Sequence, residues 1–274
     1  MKPAWSSRVL LLLACFTAGL LFLLSLSTAV HADSGPFYTS TESVLLMKKS
    51  KQDILFLDVR DREAFDRLRI PGSIHIPFYA LKTKIFLRDR SFVLVSEGYP
   101  NASIEQTCKA LRDAGFARAS ILSGGLRSWI QKKGSVEGDA LAARDVNKVP
   151  PKNFYAQKES PDWLVVTLSG PAASASQFLI PRAMNLPCQG DPRKSISSLK
   201  ILINSKTESP QLSILVCDEK GDTYESIERA VQQEGLNRVF YLKGGLEAYR
   251  VFLQQQALLA HPGKEEVKRC VSCP

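Results

Sequence analysis

The amino-acid sequence predicts an α/β protein in which one architecture, a largely parallel sheet flanked by helices, is present twice. Three observations carry this expectation. Short β-type runs alternate with amphipathic helical stretches, the same order of segments occurs in both halves, and the strands read as continuous apolar runs. With 274 residues, 45% hydrophobic and 23% charged, the chain has the length and composition of two ordinary globular domains.

The chain opens on Met1-Lys2-Pro3-Ala4-Trp5-Ser6-Ser7-Arg8, followed by an apolar and small-residue run from Val9 to Val30. A basic start before a greasy stretch reads as an export signal, and Val30-His31-Ala32 before Asp33 suits cleavage after Ala32. At roughly 20 residues the run is also long enough to remain as a membrane anchor through residues 9–30. Leu12-Leu13-Ala14-Cys15 resembles a lipobox, although the apolar run continues well past Cys15. Each option places the folded part outside the cytoplasm, periplasmic or otherwise extracytoplasmic. Residues 1–32 are therefore set aside as signal peptide or anchor.

After that segment, Ile54-Leu55-Phe56-Leu57-Asp58-Val59-Arg60 is matched by Trp163-Leu164-Val165-Val166-Thr167-Leu168. Next, Ile70-Pro71-Gly72-Ser73-Ile74-His75-Ile76-Pro77 is matched by Ile180-Pro181-Arg182-Ala183-Met184-Asn185-Leu186-Pro187, with prolines bracketing a short strand. Phe92-Val93-Leu94-Val95-Ser96 pairs with Ser213-Ile214-Leu215-Val216-Cys217, runs suited to strands buried on both faces. Each leads through a loop into an amphipathic helix, Ile104 to Ala114 or Tyr224 to Glu234, closed by Gly115 or Gly235. Finally, Ile121-Leu122-Ser123-Gly124-Gly125-Leu126-Arg127-Ser128-Trp129 matches Tyr241-Leu242-Lys243-Gly244-Gly245-Leu246-Glu247-Ala248-Tyr249. The expected organisation is a first domain at 37–135, a polar linker at 136–160, a second domain at 161–258 and a C-terminal tail at 259–274.

Asp58-Val59-Arg60, the Ile-Pro-Gly-Ser-Ile-His-Ile-Pro segment and Ser-Gly-Gly-Leu-Arg-Ser-Trp together resemble a rhodanese (sulfurtransferase) domain, and the second half is similar without an Asp-Val-Arg equivalent. The resemblance implies a tandem rhodanese-like protein. It also implies a cysteine at the end of the central strand that carries sulfane sulfur as a persulfide. That chemistry needs a thiolate, stabilised by loop N–H groups leading into a helix N-terminus.

The first loop, Ser96-Glu97-Gly98-Tyr99-Pro100-Asn101-Ala102-Ser103, has neither cysteine nor base, so the first domain reads as a scaffold or interaction module. Cys108 falls within the helix and reads as a buried structural thiol. The second loop, Cys217-Asp218-Glu219-Lys220-Gly221-Asp222-Thr223, offers Cys217 as the catalytic candidate, with Lys220, Gly221 and Thr223 to hold an anionic donor. Thr223 stands where active relatives tend to have arginine, and the loop reads as about one residue longer than usual. Asp218, Glu219 and Asp222 should raise the thiol pKa, opposed by Lys220 and the helix start.

Cys188 directly follows the second Pro-bracketed strand and reads as a structural cysteine. Cys270 and Cys273 form a CxxC in the tail, either a redox pair able to reach Cys217 or a terminal disulfide without a role. Pro274 stands where haem attachment needs histidine, only His261 is near enough to complete a zinc site, and no metal or cofactor is expected.

The formal charge is +9, falling to +7 without Lys2 and Arg8, and no basic run interleaved with aromatics points to nucleic acid. Three functions stay open. One is an extracytoplasmic sulfurtransferase using thiosulfate or a protein persulfide. Another is an inactive rhodanese-like scaffold holding an envelope partner, and the third is a thiol-disulfide protein working through the CxxC. Phosphatase chemistry is disfavoured, because neither loop has an anion-clamping arginine.

Overall fold

The computed structural model describes residues 37–169, 179–187, 196–201 and 212–260. The expected signal or anchor at 1–32, Cys15, Cys188, and the Cys270/Cys273 pair lie outside the described residues. Among the described residues no helix is long and apolar enough to cross a membrane.

Strands β1 (Tyr38–Thr39), β2 (Leu55–Asp58), β4 (Ile74–His75), β5 (Phe92–Val95) and β6 (Ala119–Leu122) build the first sheet; β3 (Leu68–Arg69) pairs antiparallel with β7 (Glu137–Gly138) beside it. The second sheet takes β8 (Lys148–Val149), β9 (Trp163–Ser169), β10 (Met184–Pro187), β11 (Ser213–Cys217) and β12 (Val239–Leu242). The strand orders are β1-β6-β5-β2-β4 and β8-β12-β11-β9-β10, parallel throughout. The repeat legible in the sequence is thus a repeat of topology.

Parallel sheets carry helices on both faces, which is why β5 and β11 are buried along their whole length and apolar except at Ser213. Successive residues still alternate between two cores. In the first sheet Leu57, Phe92 and Leu94 face one cluster while Phe56, Val93 and Val95 face the other. In the second, Leu215 and Cys217 face one cluster while Ile214 and Val216 face the other.

The helices follow their sequence signals. Asn101 caps Ala102–Asp113 by accepting from the Ser103 N–H at 3.0 Å, Ile104, Cys108 and Leu111 form its buried stripe, and Gly115 ends it at φ +92°. Tyr224–Gln233 buries Tyr224, Ile227, Ala230 and Val231 in the same way.

The stretch expected as a linker, 136–160, is structured instead. It holds β7, the short helix Ala140–Arg144, strand β8 and the helix Pro151–Gln157. Because β8 pairs with β12 and Phe154 is fully buried beside Trp163, the second sheet begins before residue 161. Two-residue strands are too short to reveal themselves by periodicity. The last helix, Gly245–Ala260, likewise runs two residues into the expected tail.

Both sheets belong to one compact unit that begins at Pro36. Arg127 crosses from the first to the second, its Nη2 donating to the Val239 carbonyl at 3.0 Å and its guanidinium lying 4.7 Å from the centre of the Phe240 ring. Burial pushes its pKa down to about 10.

Candidate active site

The loops after β5 and β11 lie at the carboxyl ends of central strands, where ligands of open parallel sheets bind. Their register follows from the ladders. Ile121 and Tyr241, at matching positions of the two Gly-Gly segments, pair with Leu94 and Val216. Val95 therefore corresponds to Cys217, and Ser96 to Asp218. Backbone bonds agree: Leu126 N–H donates to Ser96 O at 2.8 Å and Leu246 N–H to Asp218 O at 2.9 Å. The sequence alignment of Ser96 with Cys217 is off by one, and a one-residue slip exchanges the two faces of a strand.

In this register both loops run for six residues, 96–101 and 218–223, before helices begin at Ala102 and Tyr224. The extra residue expected in the second loop belongs to the strand. Cys217 is the final residue of β11, and its side chain is fully buried among Leu215, Tyr99, Trp163, Phe240, Leu246 and Tyr249. Val95, in the equivalent place, is just as buried. Burial, and after it the Asp218 charge, push the Cys217 thiol far above its ordinary range. Of the three carboxylates expected to raise it, Asp218 contributes, and desolvation, which the loop sequence did not signal, is the larger cause.

Asp218 is the first loop residue, and only 5% of its surface is exposed. Its carboxylate turns into the loop. Oδ2 accepts from Thr223 N–H at 3.0 Å and from Thr223 Oγ1 at 2.8 Å, Oδ1 accepts from Gly221 N–H, and the Tyr224 hydroxyl accepts from Asp218 N–H at 3.1 Å. Three of the donors that a loop of this shape can turn toward an external anion, the Gly221 and Thr223 N–H groups and the Thr223 hydroxyl, are occupied by the chain's own carboxylate.

The remaining expected donor-binding residues are arranged around that carboxylate. Gly221, at φ +88°, and Thr223 bind it directly, while Lys220 is exposed. Glu219 is exposed and paired with Arg250 at 3.1 Å. The paired glycines press against the loop: a Cβ on Gly245 would stand 2.6 Å from Glu219 O, and one on Gly125 would stand 2.4 Å from Ser96 O. That close approach is the reason for glycine at both positions.

The first loop serves packing between the sheets. Tyr99 reaches from the first sheet's loop into the core of the second sheet, stacked on Trp163 at 6.2 Å and edge-on to Phe240 at 5.8 Å, with its hydroxyl accepting from Asn153 Nδ2 at 2.6 Å. Burial pushes the Glu97 carboxyl up. Cys108, buried as expected, has its thiol pushed up to about 11 by burial. Cys108 and Cys217 are free thiols.

Asp58-Val59-Arg60 is a structural clamp. Arg60 donates from Nε at 2.9 Å and Nη2 at 2.8 Å to the two carboxylate oxygens of Asp58, with both residues buried, and His75 Nε2 contacts Arg60 O at 2.8 Å. The ladders put Thr167 in the place of Asp58 in the second sheet, paired with Cys217 as Asp58 is with Val95. Among the described residues no group of three or more His, Cys, Asp or Glu side chains could hold a metal ion.

Sequence reasoning missed two residues, Asp218 and Tyr99. The signal for the first is the length of the loop measured back from the helix start, which equals that of the first loop when counted from Asp218. For Tyr99 no local signal exists, since its partners come from the other half of the chain.

Residues 40–132 match the family model of the rhodanese-like domain. No curated protein matches the chain. Among solved structures, the BH2092 protein of Bacillus halodurans is 25% identical over 44% of this chain and 85% of its own, with a TM-score of 0.34. The thiosulfate sulfurtransferase of Pseudomonas aeruginosa is 14% identical over 79% of this chain and 42% of its own, with a TM-score of 0.34. SseA of Escherichia coli, described as a 3-mercaptopyruvate sulfotransferase, is 17% identical over 76% of this chain and 98% of its own, with a TM-score of 0.32.

Proposed function

From a chain that carries a rhodanese-like domain at residues 40–132 and repeats its topology in a second sheet, we propose a non-catalytic rhodanese-like binding protein of the cell envelope. One observation carries this reading. The Asp218 carboxylate fills the amide cradle of the second loop, while the nearest thiol, Cys217, points the other way into an apolar core. A persulfide carrier needs an accessible thiolate with donors turned toward it, and here each requirement meets its opposite. The envelope part of the proposal rests on the sequence of residues 1–32.

Sulfur transfer through Cys217, with Lys220, Gly221 and Thr223 holding the donor, would require the last residue of β11 to leave the core and Asp218 to vacate the loop. The test is to incubate the full chain with thiosulfate and with a low-molecular-weight persulfide, then weigh it intact. No gain of sulfur is expected for the native chain or for Cys217→Val, which installs the residue found at the equivalent position of the first sheet. A gain of one sulfur atom overturns the proposal. Its loss in Cys217→Val would assign the sulfur to Cys217, and its persistence would assign it to another cysteine such as Cys270 or Cys273.

A further inference from the structure

Between β4 and β5 the chain runs through two short 3-10 turns, Phe78–Thr83 and Ile85–Leu87. Three residues per turn bring positions i and i+3 into line. Phe78 and Leu81 share the inward side and pack on the first core, and Leu87 is buried there as well. That leaves the outward side to Tyr79, Ile85 and Phe86, which are 87%, 70% and 56% exposed. Burying Leu81 and Leu87 is what forces these three large apolar side chains into solvent.

The charge along this segment is mainly positive. Lys82, Lys84, Arg88 and Arg90 lie within residues 76–90, against the single acid Asp89. Arg90 is paired with Asp53 at 2.8 Å, and among the described residues no carboxylate lies within ion-pair distance of Lys82, Lys84 or Arg88.

We propose that this face, Tyr79, Ile85 and Phe86 with Lys82, Lys84 and Arg88 interleaved along the same segment, is a peripheral contact surface for an anionic lipid bilayer; Arg88 is exposed and also lies over the Phe116 ring at 5.7 Å. Aromatic and aliphatic side chains standing out among lysines suit the headgroup boundary, where apolar tips enter and lysine stems reach back to phosphate. Anionic headgroups attract such cations within about a Debye length, roughly 10 Å. A second copy of the chain is the less suitable occupant. A two-fold contact would bring Lys82, Lys84 and Arg88 of one copy against the same residues of the other. The surface is separate from the second loop and stands whether or not Cys217 carries sulfur.

The test places a local probe on the surface of the full chain. Phe86→Trp is made in a Trp5→Phe background, leaving Trp129 and Trp163, which are 0% and 9% exposed, as a constant internal signal. With vesicles containing phosphatidylglycerol, the probe's emission shifts to the blue and is quenched by brominated phosphatidylcholine. With pure phosphatidylcholine vesicles it does neither. At about fivefold per cation, Lys82→Gln with Lys84→Gln lowers partition of the probe roughly 25-fold. A probe that stays unquenched on vesicle-bound protein overturns the proposal, as does quenching indifferent to lipid charge. A blue shift without lipid that grows with protein concentration also overturns it and assigns the surface to a second copy.

Discussion

Asp218→Ala removes the acceptor of three donors at once: Gly221 N–H, Thr223 N–H and the Thr223 hydroxyl. A hydrogen bond to a charged group contributes about 1.5–3 kcal/mol, but Thr223 is exposed and water can replace part of what is lost. A net loss of about 2–4 kcal/mol is expected. Asp218→Asn keeps one acceptor oxygen and turns an NH2 group toward a donor, so its loss should be smaller, about 1–2 kcal/mol. Denaturant unfolding of the full chain, with the m-value held as a check on the reference state, measures both. Asp222→Ala, at an exposed neighbour, serves as control and should change stability by about 0.5 kcal/mol or less. The emptied amides of Asp218→Ala should also take up an oxyanion. Sulfate at ten times its Kd would restore about 1.4 kcal/mol to the variant and nothing specific to the native chain. If Asp218→Ala unfolds like the control, or sulfate stabilises both proteins alike, the carboxylate does not occupy the cradle and the argument for a closed site fails.

Tyr99→Ala should cost about 3–5 kcal/mol, the range for emptying a buried aromatic site, and split unfolding into two transitions, because Tyr99 ties the first loop to Trp163 and Phe240. A single unaltered transition would refute its role as the tie, whereas Tyr99→Phe, which only strands the Asn153 amide, should cost about 1 kcal/mol. For pH, Cys108 rises on folding from its ordinary value of 9.0 to about 11, so the folded state holds the proton more tightly. Its contribution is complete below pH 9 and is lost as pH climbs through 11; Cys108→Ala should flatten that part of the alkaline stability profile, and an unchanged slope would count against it.

Much of the fold was legible because its signals are local and repeated. Apolar runs at β5 and β11, the stripes of the helices that follow them, and the stops at Gly115 and Gly235 need no distant partner to be read. The segment 136–160 reads as a linker in sequence because β8 is two residues long and is recognisable only by its pairing with β12. The Asp58-Val59-Arg60 motif was visible as a marker of family resemblance, but its work as a buried clamp appears only once Asp58 and Arg60 are seen to be enclosed.

The site divides along the same line. The order of segments along the chain is enough to expect two sheets of one design, each presenting a loop between a buried strand and an amphipathic helix, with a cysteine next to the second loop. The side of the strand end on which that cysteine falls is a matter of strand pairing. Side chains alternate along a strand, so a register set by pairing with β12 sends Cys217 into the core and leaves Asp218 in the loop. Periodicity within β11 is silent on that choice because both of its faces are buried, and an unbroken apolar run looks the same in either register.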